Sequence, residues 1–174
     1  MIRDAITFAL SNFTLTFFVI GLVFAAAGIV RAPKPIVRAR VLETILSWFV
    51  FWTIGVSCFY NFVFHVFFGK MAAAFIGWAD SPFQAEVGWA SLGFSVVGFL
   101  AAFRRSFDLR LAAILGPGLF TLGAAVGHIQ QMITSHNFAP GNAGVIFWTD
   151  ILLPLAGFAL LWLVRPGSGG ASDA

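Results

Sequence analysis

The 174 residues are 60% apolar and only 10% charged, with a mean hydropathy of +0.94. A soluble domain carries roughly 25% charged residues, so this chain has too few to keep a surface wet, and its solvent must be lipid. The net charge of +3 and pI near 9.8 invite a nucleic-acid partner. That reading is excluded, because the basic residues fall in loops beside apolar runs, where membrane topology explains them. Aromatic content of 17%, with 22 Phe, suits a chain that packs by van der Waals contact and faces acyl tails.

Taken in chain order, the first apolar run is Phe8–Val30. Ala25, Ala26 and Ala27 resemble a signal-peptide cleavage site. However, Arg31, Lys34, Arg38 and Arg40 follow directly, and cleavage would place those charges on the far side of the membrane. The run is read as a retained span. The second run, Leu42–Phe68, contains the single cysteine, Cys58, which reads as a small core residue. Next, Lys70–Trp78 is too short to cross a bilayer and reads as an interfacial or re-entrant helix anchored by Trp78. Pro82 is placed to open the third run, Phe83–Phe103. The fourth run is Leu109–Ile133, with Pro117 inside it and a Gly123/Gly127 pair at the GxxxG spacing that brings helices close. Pro140, Gly141 and Asn142 form a turn before the fifth run, Ala143–Val164, which contains Pro154. Residues 166–174 are Gly/Ser-rich and read as a flexible tail, leaving 1–165 as one domain.

Each run is long enough to cross a hydrocarbon core as a helix. None alternates as a barrel strand would. Lipid leaves backbone groups no partner outside the chain, which favours helices. The fold class is therefore all-α, a polytopic membrane helix bundle of five transmembrane helices plus the short extra helix. An outside N-terminus puts eight Lys and Arg in cytoplasmic loops and leaves only Arg3 and Lys70 outside. This bias predicts N-out, C-in.

In that topology, the polar residues inside the spans gather toward the outer end, and the inner half is nearly devoid of them. Asn61 and His65 share a face of the second span with Cys58. Gln84 and Glu86 lie in the first turn of the third span, His128 and Gln131 near the end of the fourth, and Asp150 about two turns into the fifth. An ionisable group at such depth is expensive and faces a partner, a cavity or a ligand. His65, Glu86, His128 and Asp150 form the candidate constellation, with Asn61, Gln84 and Gln131 beside it. Blander readings exist for each. His65 at headgroup level is simply wet, Glu86 is favoured by the helix dipole, His128 suits a helix C-terminus, and Asp150 serves only to pair with His128.

The segments Trp78–Gly88, Gly127–Ile129 and Pro140–Gly144 resemble a family of small bacterial integral-membrane proteins of unassigned function, over about residues 65–155. The resemblance implies a bacterial inner-membrane protein and brings no catalytic residues with it.

Four functions compete. Imidazole plus carboxylate suits a Zn, Fe or Cu centre on His65, His128, Glu86 and Asp150, though no Glu-x-x-His pair is present. His65 and His128 come from different helices at similar depth, as the axial ligands of a haem do. Asp150 and Glu86 suit a proton or small-solute transporter. Small size and many aromatics suit a non-catalytic subunit of a larger membrane complex or a homo-oligomer. The bilayer itself is the one partner common to all four.

Overall fold

The computed structural model describes residues 1–166, so the tail beyond Pro166 lies outside the described residues. All regular structure among them is helical, and five helices are long and apolar enough to cross a membrane.

The first apolar run is not one helix. Helix α1 (Ile2–Ser11) ends at Asn12, whose backbone (φ −115°, ψ 42°) leaves the helical region, and α2 (Phe13–Val30) restarts beyond it. Carbonyls near the break are satisfied by side chains. Asn12 Nδ2 donates to the Phe8 carbonyl at 2.9 Å and Thr16 Oγ1 to that of Ala9 at 2.8 Å. Such local bonds compete with the helix ladder. The span is therefore Phe13–Val30, while α1 buries none of its residues.

The second span runs Arg38–Phe67 in three pieces. These are α3 (Arg38–Phe49), a π-helical segment (Val50–Val56) and α4 (Ser57–Phe67). The π segment faces α6 (Phe83–Arg104) at a close backbone crossing. A Cβ on Gly98 would sit 2.9 Å from Gly55 N, and one on Gly55 would sit 2.7 Å from the Phe99 ring. Only glycine fits both positions. Ser95 Oγ donates to the Gly55 carbonyl at 2.7 Å, so α6 satisfies a backbone oxygen in the widened turn.

Between them lies the short helix α5 (Gly69–Ile76), closed by Gly77 at φ 77°, a left-handed position that suits glycine. Helix α7 (Phe107–Ser135) follows a tight connection. A single turn, α8 (Pro140–Ala143), leads into α9 (Val145–Val164). Pro117 and Pro154 both lie inside continuous helices.

Two expectations are corrected. The GxxxG pair on α7 does not bring helices together. A Cβ on Gly123 would meet nothing within 4 Å, and one on Gly127 would touch only Trp78 at 3.7 Å. Close approach is instead made by Gly55, Gly98 and Gly88, the last against the Phe62 carbonyl. Nor is the half expected to face inward devoid of polar groups. Arg110, expected in a loop, is 3% exposed in the first turns of α7 and grips Glu43 of α3 through both guanidinium nitrogens, at 2.7 and 2.8 Å. At this end Leu46, Phe49, Val50, Ile54, Ala113 and Ile114 form a tight core. Toward the other end the packing opens.

Candidate functional site

The opening is a cavity of about 850 Å³ between α2, α4, α6, α7 and α9. Its deep end touches core residues Phe49 and Ile114, and its walls are mostly apolar and aromatic. Several residues that line it are also exposed on the outside of the bundle: Met71 on α5, Phe83 on α6 and Leu119 on α7. They mark where the cavity opens.

Five of the expected site residues line this cavity: Asn61, His65, Gln84, His128 and Asp150. His65 Nδ1 lies 2.7 Å from Gln84 Oε1, and Asn61 Nδ2 donates to Ser91 Oγ at 2.9 Å. The half-buried Cys58 is on the same wall. Glu86 is not part of the site. It is exposed on the opposite side of α6, because the helical repeat that turns Gln84 and Val87 inward turns Glu86 out. Gln131 also lies off the cavity wall. With Glu86 gone, the four-ligand metal set does not assemble, and among the described residues no three His, Cys, Asp or Glu gather as a metal-holding group.

The centre of the site is a set of hydrogen bonds from Trp78, just past α5, through Asn142 to His128, with Asp150 of α9 beside the imidazole. Trp78 Nε1 donates to Asn142 Oδ1 at 3.0 Å. Asn142 Nδ2 donates to the carbonyls of His128 at 3.2 Å and Asn137 at 2.9 Å. An indole N–H only donates and a carbonyl only accepts, so these three contacts fix which end of the Asn142 amide is oxygen. That oxygen also lies 2.8 Å from His128 Nδ1. It can only accept, so Nδ1 carries the hydrogen. The ring's other nitrogen, Nε2, then points at Asp150 Oδ2 across 3.6 Å. Asn142 is fully buried and makes four bonds, filling the capacity of its amide. Trp78 also packs its ring 5.5 Å from the imidazole.

A charge-neutral pair at this position holds one further proton, on Nε2 or on Oδ2. If it sits on nitrogen, the pair is imidazolium and carboxylate. If it sits on oxygen, both are neutral. Either way the pair carries no net charge, which is what burial at this depth requires. Thr149, one residue before Asp150, bonds Thr14 across to α2 at 2.7 Å and holds this level of the bundle together. Deeper on the wall, the buried Thr53 hydroxyl has no partner among the described residues.

The sequence reading missed Asn142, Trp78 and Asn137 as site residues. Asn142 read only as a turn former, and no sequence signal separates it from an ordinary turn asparagine. Asn137 ties the same loop to α5, donating to the Ile76 and Gly77 carbonyls.

Five apolar membrane-length helices enclosing a cavity with one buried acid–imidazole pair define a multi-pass helical membrane protein with an internal polar site. Residues 11–169 match the profile of a family of unknown function, DUF6790, and the chain belongs to that family. The match spans every residue of the site described above. No curated protein and no solved structure matches the chain.

Proposed function

We propose that the protein binds a small lipophilic molecule inside the membrane, in the half of the bundle that holds His128 and Asp150. The observation that carries this reading is the placement of the His128–Asp150 pair on the wall of an otherwise apolar cavity of about 850 Å³. Ligand sites combine apolar walls with a few convergent polar groups, in volumes of about 300–1,000 Å³. In this reading that half faces the outer side of a bacterial inner membrane, with N-out, C-in topology, an orientation the positive-charge bias supports. In the same reading α5, whose Met71, Phe75 and Ile76 line the cavity, covers it at the membrane surface.

The metal reading is not carried forward, since its donor set does not converge. A haem would take Nε2 of both His65 and His128, but that of His128 is directed at a carboxylate.

The test uses a neutral lipophilic fluorophore, 1-N-phenylnaphthylamine, with purified protein in detergent. Saturable binding above micelle partition is expected, and Gly123→Phe, which fills open space at the cavity wall, should abolish it without loss of thermal stability. Binding that never saturates, or that ignores the plug, would refute the proposal.

A further inference from the structure

The charge on the cavity wall selects the ligand. Asp150 is the one carboxylate among the residues that line it, and none of them is Lys or Arg. Helix α9 packs against α2, α3, α7 and α8. From these elements the groups at the level of Asp150 are Thr14 of α2, His128 of α7 and Asn142 of α8. The charged groups of α3, including Glu43, are at the far end. Glu43 bonds Arg110, which lies 18 positions before His128 (128 − 110) on α7, about 27 Å away at 1.5 Å per residue. His65 faces the same cavity from α4, bonded to Gln84.

With no Lys or Arg on the wall, a proton on the His128–Asp150 pair is what would balance the one negative charge. The Trp78–Asn142 lock keeps hydrogen on His128 Nδ1, so the proton free to leave is the one shared by Nε2 and Oδ2. At 3.6 Å the pair is longer than a charge-assisted hydrogen bond of about 2.8 Å. The carboxylate therefore keeps acceptor capacity toward the cavity. A neutral ligand would leave the proton in place. An anion would meet a carboxylate with no compensating Lys or Arg. An organic cation would meet a carboxylate, and the rings of Tyr60, Phe64, Phe94 and Phe120 line the same cavity. Aromatic faces attract cations. A cation and an imidazolium side by side would repel strongly in so dry a place, so the cation enters as the proton leaves.

Resting on the binding role proposed above, we infer that the ligand is a lipophilic organic monocation, such as a substituted ammonium, bound at Asp150 in exchange for one proton. The balance is simple. The cation takes the place of the shared proton as counter-ion to the Asp150 carboxylate, His128 remains as the neutral Nδ1–H tautomer, and one proton passes to water.

The test adds tetraphenylphosphonium to the purified protein in weakly buffered detergent at pH 6 and follows both binding and an indicator dye. About one proton should be released per cation bound. Asp150→Asn should weaken cation binding roughly 30-fold or more, as removal of one partner of a buried charge pair does. Binding of the neutral naphthylamine to the same variant reports that its cavity is intact. Cation binding without proton release, or undiminished in Asp150→Asn, overturns this inference while saturable binding of the neutral probe upholds the cavity. If neither probe binds saturably, the binding role itself fails and the inference goes with it.

Discussion

Helix α7 carries a basic–acidic pair toward each end, Arg110–Glu43 and His128–Asp150, and the two are built in opposite ways. Near its start Arg110 meets Glu43 with two contacts of 2.7 and 2.8 Å, and a third bond of 2.8 Å goes to Ser47. Both carboxylate oxygens are used, and tight apolar packing surrounds the pair's end of the bundle. Near its far end His128 meets Asp150 with one contact of 3.6 Å, on the edge of a cavity. The first pair engages both terminal guanidinium nitrogens and both carboxylate oxygens, leaving only Arg110 Nε buried without a partner among the described residues and Glu43 40% exposed. The second is slack on one side only. The imidazole is held rigidly through Nδ1, while the carboxylate has spare acceptor sites facing open space. A fold that needed both pairs merely to fasten helices would have no reason to build one with such precision and leave the other loose.

The largest expected effect breaks the first pair, and it is asymmetric. Glu43→Ala strands a guanidinium that is 3% exposed. Leaving one buried charge uncompensated costs about 3–5 kcal/mol. Arg110→Met strands a carboxylate that is 40% exposed and can hydrate. It should cost well under half as much, on the scale of about 1 kcal/mol for an exposed pair. Equilibrium unfolding in mixed micelles measures both. Equal losses would mean that water reaches Arg110 as easily as Glu43, and the contrast between the two ends would weaken.

Next comes the lock that holds His128. Asn142→Leu removes four hydrogen bonds. Side-chain bonds in membrane interiors average about 0.6 kcal/mol each, so the loss should be roughly 2 kcal/mol. The sharper readout is the ring itself. In the wild type, nitrogen NMR should show hydrogen on Nδ1 of His128, and in Asn142→Leu that preference should disappear. A tautomer unaffected by the substitution would show that Asn142 does not set it.

What the sequence made legible, and what it hid, follows the same division. Hydropathy runs are additive over about 20 residues, so five spans were readable, with ends within a few residues for α6, α7 and α9. The depth of Asp150 inside an apolar run was equally plain. Facing was harder. Glu86 and Gln84 are two positions apart, which on a helix is about 200°, and only packing decides which of them turns inward. The break at Asn12 and the π segment at Val50–Val56 depend on side-chain bonds to backbone and on a glycine contact with α6. Both are pairwise facts that a hydropathy window averages away. Asn142 was hidden most completely. Its role comes from four partners, three of them in the distant Trp78 and His128 and one in the adjacent loop.

The slack pair should be easy to lose without unfolding the protein. Asp150→Asn removes one contact beyond hydrogen-bond length and puts an amide where a cavity offers room for water. Its cost should stay below about 1 kcal/mol, near the average for a single polar contact in a membrane interior. Thermal unfolding in detergent checks this. A loss as large as that of Glu43→Ala would make Asp150 a structural fastener and would remove the distinction drawn here.

The glycines at the two levels sharpen the comparison through packing alone, and one of them, Gly123, gives the smallest effect of all. Gly98 lies at the tight crossing, where a Cβ would come within 2.9 Å of the Gly55 backbone nitrogen. A backbone atom in a neighbouring helix cannot step aside, so Gly98→Ala should destabilise by about 1–3 kcal/mol, as overpacking does. Gly123 lies on the cavity wall, where a Cβ meets nothing within 4 Å. There alanine gains the helix preference of about 0.5–1 kcal/mol over glycine and loses no contact. Gly123→Ala should therefore be neutral or slightly stabilising, although the two glycines look alike in sequence. A clear destabilisation at Gly123 would mean that the space beside it closes in the membrane, and with it the room for a ligand next to Asp150.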